Sequence, residues 1–368
     1  MESLWKSTYK NFDLILFAAV VILVVLGLST IQSTVVAGSP GNQILTENLF
    51  HIQLLAVGVG LGIFAGLLFF DYRYLAYFSV VLYLIVILGL GLVLLWGQPV
   101  RGATRWFELG SFNLQPSTIG MIGLTTAFAA FFAVVKEKIN QFRYLAVAVM
   151  LVLPPFVLIL LEPDLGAALV TGLVWLGLLH LTPIRISRLA AIYGLILIAA
   201  LLVWQNLATY QFDRLTSFLD PERDPLGTSY NALQSMIAIG SGQWLGRGWG
   251  QGTQSHLQFL PEHHTDFIFA TFAEEQGFIG SLIVSTLYGL VIWRGLIILR
   301  STRDYFGQLL TAGVLIWLTI NIMLNIAMNS GIAPVTGVPL PFVSYGGTMM
   351  ITTWIAVGLI ESVAIRRN

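Results

Sequence analysis

The chain has 368 residues, 57% of them hydrophobic and only 10% charged, whereas a soluble domain carries roughly a quarter charged residues. Its 18 basic and 18 acidic side chains cancel, leaving no electrostatic footprint for nucleic acid, and the lack of cysteine excludes disulfides, thiolate zinc sites and thiol catalysis. With a mean hydropathy of +0.83, the composition is that of an integral membrane protein.

A window of roughly 19 residues, suited to a hydrocarbon core of about 30 Å, picks out ten apolar segments in chain order: 12–31, 50–70, 75–96, 117–135, 144–161, 165–182, 188–208, 267–298, 306–328 and 347–365. The expected fold is therefore all-α, with about ten transmembrane helices. The first segment follows Lys6 and Lys10, and VVAGS at 35–39 is a passable cleavage site. Its length exceeds the roughly 7–15-residue apolar region of a signal peptide, so it reads as a retained span. Pro154, Pro155 and the glycines at 58–66 mark kinks or close helix packing. Glu274 and Glu275 interrupt the eighth segment, which is expected to begin as a short helix and to cross only after Gly277.

Orientation follows from the basic residues. With the N-terminus in the cytoplasm, 13 of the 18 Lys and Arg fall on the cytoplasmic side, the bias expected when both termini lie inside. The outer side then holds three informative loops: 97–116 with RGATRWFELGSFNLQPS, 209–266 as a long extracytoplasmic loop between the seventh and eighth spans, and 329–346 with SGIAPVTGVPLPFVSYGG. No histidine pair has helical metal-ligand spacing such as HExxH.

FLPEHHTDFIFATFAEEQGFIG, 259–280, concentrates four carboxylates and two histidines at the mouth of an apolar segment. Asp266 there can cap the helix through a carboxylate oxygen, or serve as a general base whose burial beside Phe267 and Phe269 disfavours the charged form. Glu262 and His264 lie within one or two turns and are placed to relay or tune a proton, and Thr265 is an alternative cap. Asp164, in LEPDLGAAL, likewise caps a helix or carries a function at a costly depth. Arg105-Trp106 reads as an interface anchor or, for Arg105, as a bidentate donor to pyrophosphate; Arg214 is a further phosphate-binding candidate. The loop GSGQWLGRGWGQGT, 240–253, lacks the strand–loop–helix context of a nucleotide site, and its glycines suit a tight fold close to the membrane. Three prolines hold 334–347 in an extended or turn path that can line a cavity.

Together these stretches resemble the shape, elongation, division and sporulation (SEDS) family of membrane glycosyltransferases, the RodA/FtsW group, over most of the chain read as a single domain, 1–368. GTQSHLQFLPE, with Gln254 and Ser255, is similar to the RodA-type branch. The resemblance implies a bacterial cytoplasmic-membrane enzyme that polymerises lipid II into glycan strands outside the membrane for cell elongation. It also implies a class B penicillin-binding protein as transpeptidase partner within the elongation machinery, and no nucleic acid. Asp266 falls on the family's catalytic aspartate, and Arg105, Asp164, Glu262 and His264 on its recurring motif positions. Trp106, Arg214, Gln254, Ser255, Ser344 and Tyr345 are supporting or substrate-binding candidates. Arginines or a divalent cation, Mg or Mn, would neutralise the pyrophosphate.

In QPSTIGMI, Thr118 and Met121 stand where the family usually has Glu and Lys. Losing both members of such a pair leaves no orphaned buried charge; the pair is then dispensable scaffolding or the activity is altered. Two other functions fit the composition: a lipid II flippase using Asn321, Asn325, Asn329 and Glu361, and a non-catalytic scaffold that activates the transpeptidase.

Overall fold

Long runs of Leu, Ile, Val, Phe and Ala satisfy their own backbone hydrogen bonds only as helices where water is excluded. The computed structural model describes residues 11–36, 43–100, 103–110, 112–204, 217–220, 224, 227, 229–257, 259–260 and 262–367. Its helices are α1 (Leu14–Val36), α2 (Gln43–Phe69), α3 (Arg73–Trp96), α4 (Pro116–Val135), α5 (Phe142–Leu161), α6 (Leu165–His180), α7 (Ile186–Trp204), α8 (Tyr230–Gly242), α9 (Thr253–His256), α10 (Ile268–Ser301), α11 (Tyr305–Asn329) and α12 (Gly347–Ile365). Among the described residues eight helices are long and apolar enough to cross a membrane, and α6 and Ile186–Leu201 of α7 are shorter apolar helices. At 16 residues, α6 is about 24 Å long.

The segment 97–116, read from sequence as a loop, is folded. Strands β1 (Gln98–Val100), β2 (Ala103–Leu109) and β3 (Phe112–Leu114) form an antiparallel meander in the order β1-β2-β3. Gly110 takes φ +67 at the turn before β3, a conformation glycine adopts without steric cost. Pro116 then occupies the first turn of α4, where a missing N–H costs nothing. The segment 209–266 also contains helices, α8 and α9.

Burial sorts the bundle. The spanning window of α12 is 89% buried and those of α4 and α11 are each 67%, whereas that of α3 is 17%; α12, α4 and α11 form the centre and α3 lies on the rim. α12 packs chiefly on α2, and α3 on α4. Gly60 accounts for part of the first contact: a Cβ there would sit 2.5 Å from Trp354 Cδ1. Its neighbours Gly58, Gly62 and Gly66 face open space, so only one of these four glycines marks close packing.

α10 is broken where the sequence suggested. Gly277 has φ +66 and ψ −164, outside helical space, and separates a short N-terminal half from the apolar stretch that follows. At the far end of α10, Arg294 grips Asp13 through Nε and Nη2, with an Nη2–Oδ2 distance of 2.6 Å, and Glu361 Oε2 accepts the Asp13 N–H at 3.0 Å. This buried knot joins the start of α1 to α10 and α12, and assigns Glu361 a structural partner.

Candidate active site

α10 starts without a side-chain cap. Its N-cap is Phe267. Thr265 Oγ1 donates to Glu262 Oε2 at 3.1 Å, and Thr265 N to the Glu262 carbonyl. Asp266 is half-buried. Its carbonyl accepts from two amides of α11, Asn325 Nδ2 at 2.9 Å and Asn329 Nδ2 at 3.0 Å. Asn325 Nδ2 also donates to the Val338 carbonyl at 2.8 Å, and Asn329 Oδ1 accepts from Ala270 N. The carboxylate faces Gly337, where a Cβ would lie 3.5 Å from Asp266 Oδ2.

The segment 334–347 clamps the same turn from the other side. Tyr345 N donates to the His264 carbonyl at 2.8 Å, and Ser344 Oγ to the Thr265 carbonyl at 2.7 Å. The rings of His264 and Tyr345 meet edge to face at 5.6 Å. Burial pushes the Tyr345 phenol above its ordinary pKa. Ser344 is 2% exposed, so its hydroxyl supports the backbone and does not reach a ligand in this conformation.

A second cluster joins β2 to the α5–α6 junction. Asp164 caps α6, its Oδ1 accepting Ala167 N at 3.0 Å, while Oδ2 accepts Gln115 Nε2 at 3.1 Å and lies 3.8 Å from Arg105 Nη1. Arg105 spends Nε on the Glu162 carbonyl at 3.0 Å and Nη2 on the Pro163 carbonyl. Its guanidinium thus closes the carbonyl end of α5, a role the sequence did not suggest. Trp106, next along β2, pairs in register with Gln98. Glu162 is fully buried, and among the described residues neither carboxylate oxygen has a hydrogen-bond partner. Desolvation, and then the neighbouring Asp164, push its pKa up to about 8 against the opposing pull of Arg105. Sequence reading passed over Glu162; the available signal was a second acid two positions before Asp164 at the end of an apolar run.

Thr118 and Met121 lie beside this cluster. Thr118 Oγ1 donates to Gln115 Oε1 at 2.8 Å, and Met121 Sδ accepts from Thr171 Oγ1 at 3.2 Å. Gln115, Ser117, Thr118, Met121, Asp164 and Asn321 line a cavity of about 50 Å³ that Gly337 also borders. Gly337 is thus shared by the two clusters, facing Asp266 and bordering the cavity of Asp164. A more open groove of about 440 Å³ between α8, α10 and α11 has no ionisable side chain on its lining.

The glycine-rich loop serves the break in α10. Glu274 and Glu275 are buried. Glu274 accepts from Gln254 N at 2.9 Å, from Ser255 N and Oγ at 3.3 and 3.1 Å, and from Thr253 Oγ1 at 3.3 Å; Glu275 accepts from Gly250 N at 3.2 Å. Arg247 N and Gly248 N bond the carbonyls of Glu274 and Glu275, and Phe278 N and Ile279 N bond those of Gln243 and Trp244. A Cβ at Gly246 or Gly277 would run into the facing backbone. The tight fold expected of the loop is present. Ser255, expected near substrate, is 1% exposed and held by Glu274. Arg214 lies outside the described residues.

Among the described residues no group of three or more His, Asp or Glu could hold a metal ion.

Residues 13–368 match the family model FTSW_RODA_SPOVE, cell cycle protein. Peptidoglycan glycosyltransferase MrdB of Escherichia coli K12 is 41% identical over 292 residues, 78% of each chain. Among solved structures, a chain of a peptidoglycan synthase complex that coordinates polymerization and crosslinking is similar with a TM-score of 0.81 at 30% identity, over 97% of this chain and 98% of that one. Rod shape determining protein RodA of Thermus thermophilus is similar with a TM-score of 0.71 at 27% identity, over 97% of each chain.

Proposed function

The chain belongs to the FtsW/RodA/SpoVE family of cell cycle proteins, and we propose that it is a multi-pass peptidoglycan glycosyltransferase that polymerises lipid II during cell elongation. The similarity to MrdB and RodA supports the enzyme class and the rod-shape role. In this reading the bacterial cytoplasmic membrane holds the bundle with both termini inside and Asp266 at the outer face. A class B penicillin-binding protein crosslinks the product within the elongation machinery, in keeping with the synthase complex that the chain resembles.

The observation that carries the reading is the mounting of Asp266. Its carbonyl is fixed by two asparagines of α11, and its half-buried carboxylate lies against a glycine where no side chain intervenes. A base held this way takes the proton from the 4-hydroxyl of the acceptor's terminal GlcNAc. The oxygen forms a bond to C1 of the donor MurNAc as the C1–O bond to polyprenyl pyrophosphate breaks, and the bonding pair leaves with the pyrophosphate. One displacement turns an α-linked donor into a β(1→4) product. The leaving group is already activated and needs charge neutralisation more than a proton, which is assigned to Arg105.

Asn325 and Asn329 spend their amides on the backbone around Asp266, which favours catalysis over a lipid pathway through the bundle. A positioned base contributes about 10²–10⁴-fold. Asp266→Asn, purified and supplied with labelled lipid II, is expected to lose that factor with its thermal unfolding unchanged; near-normal glycan synthesis refutes the assignment.

A further inference from the structure

Gln115 has an amide whose orientation its neighbours dictate. Oε1 accepts from Thr118 Oγ1 at 2.8 Å and Nε2 donates to Asp164 Oδ2 at 3.1 Å. An ionised carboxylate only accepts, so flipping the amide would set oxygen against oxygen. The mount is rigid. Gln115 N donates to Thr348 Oγ1 at 3.3 Å, which itself donates to the Asn113 carbonyl at 2.6 Å. Its backbone is extended, φ −104 and ψ 108, the conformation that a following proline enforces.

The consequence falls on Arg105. Two of its nitrogens, Nε and Nη2, are committed to the carbonyls of Glu162 and Pro163. Nη1 stands 3.8 Å from Asp164 Oδ2, beyond hydrogen-bond length, while that oxygen accepts from Gln115 and Oδ1 from Ala167 N. Without the amide, Oδ2 loses the bond that draws it toward Gln115 and can close on Nη1, turning the long ion pair into a direct hydrogen-bonded one.

We infer that Gln115 is a positioning residue that holds the Asp164 carboxylate off Arg105, so that Nη1 stays available to the pyrophosphate oxygens of a lipid-linked donor. The inference rests on the glycosyltransferase reading for its substrate, but the geometry it invokes is independent of turnover. Thr118 steadies the amide as a neutral anchor.

The test uses the full-length protein in lipid nanodiscs with two readouts: binding of a short-chain polyprenyl pyrophosphate, and lipid II polymerisation from pH 5.5 to 8.5, each normalised to the folded fraction. Loss of a hydrogen bond to a charged group predicts that Gln115→Leu weakens pyrophosphate binding roughly tenfold to hundredfold and raises KM more than it lowers kcat. In Gln115→Glu, two carboxylates about 3 Å apart share one proton. The protonated glutamic acid donates as the amide did, so the ratio of variant to wild type is near one at low pH and falls as pH rises. Among the described residues the charged or titratable groups near this site are Asp164, Arg105, the adjacent Glu162 and, across Gly337, Asp266; α11 and α12 present Trp317, Asn321 and Met349, which do not titrate. Thr118→Val is expected to weaken binding less than Gln115→Leu, and Thr118→Ser to restore it.

Wild-type pyrophosphate binding by Gln115→Leu, or a Gln115→Glu ratio flat with pH, overturns the inference. A wild-type protein that binds pyrophosphate and makes no glycan sinks the glycosyltransferase reading, and the binding readout still decides for or against Gln115.

Discussion

The Asn325 side chain donates at once to the carbonyl of Asp266, 2.9 Å away, and to that of Val338, at 2.8 Å. One amide in α11 therefore joins the turn that carries the candidate base to the Pro/Gly segment that walls it. A polar group at this depth would be costly without partners; here both of its N–H groups are spent on fixing one carboxylate relative to one wall.

Removing that amide should misplace the base without unfolding the bundle. Asn325→Leu takes the donor from the Val338 carbonyl, about 1–3 kcal/mol of local penalty, while the Asp266 carbonyl keeps Asn329. The expected result is a large fall in kcat with a small fall in the thermal midpoint. Since Asn329 donates to the same Asp266 carbonyl and to the Asn325 carbonyl, the double Leu variant should be non-additive in a double-mutant cycle.

Glu162 predicts a pH-dependent stability. Burial raises its folded-state pKa to about 8 from the ordinary carboxylate value of 4.5, so the folded protein holds a proton that the unfolded chain releases. The sign follows: stability falls as pH rises from about 4.5 to about 8 and is flat beyond. Glu162→Gln removes the proton linkage. Its thermal midpoint should exceed that of the wild type at pH 8.5 and approach it at pH 5, the stability difference at the upper end being on the order of a few kcal/mol.

Glu274 holds the glycine-rich loop. Glu274→Ala strands the N–H groups of Gln254 and Ser255, and leaving buried hydrogen-bond partners of a charged group unmet costs about 3 kcal/mol or more. Limited proteolysis should cut within 247–257 in this variant and spare the wild type. Glu274→Gln retains one acceptor oxygen and should fall between them.

The Asp13–Arg294 pair lies at the end of α10 remote from Asp266. Arg294→Met leaves the Asp13 carboxylate without its guanidinium partner, and losing one partner of a buried pair costs about 3–5 kcal/mol. The thermal midpoint should drop while kcat per folded molecule stays within about twofold. A selective loss of kcat would show that this end is coupled to the site.

The sequence exposed apolar runs well and local polar geometry poorly. The helices follow from unbroken hydrophobicity, and the break at Gly277 from two acids and a glycine inside such a run. β1–β3 were not legible because strands of 3, 7 and 3 residues carry too little alternation to register. Asp266, Glu262 and His264 were legible as a charged cluster beside an apolar segment. Arg105 was legible as a cation, but its commitment to the carbonyl end of α5 depends on a β-meander that brings residue 105 to residue 162. Ser255, Ser344 and Tyr345 drew notice as polar residues in glycine- or proline-rich stretches. Ser255 bonds a buried carboxylate, and Ser344 and Tyr345 bond the backbone around His264 and Thr265, partners far apart in sequence. Glu162 and Gln115 lie within LEPDLGAAL and QPSTIGMI, but their roles were not legible there, since each acts through neighbours that only the fold supplies.

The amide groups of residues 250–255 form a receptor for negative charge already occupied by the protein's own Glu274 and Glu275. Loop and acids are thus lock and key cut from one chain. Replacing the acids with neutral residues would leave the receptor vacant and force it to refold or recruit a foreign anion, so viable sequence change in either half should come with matching change in the other.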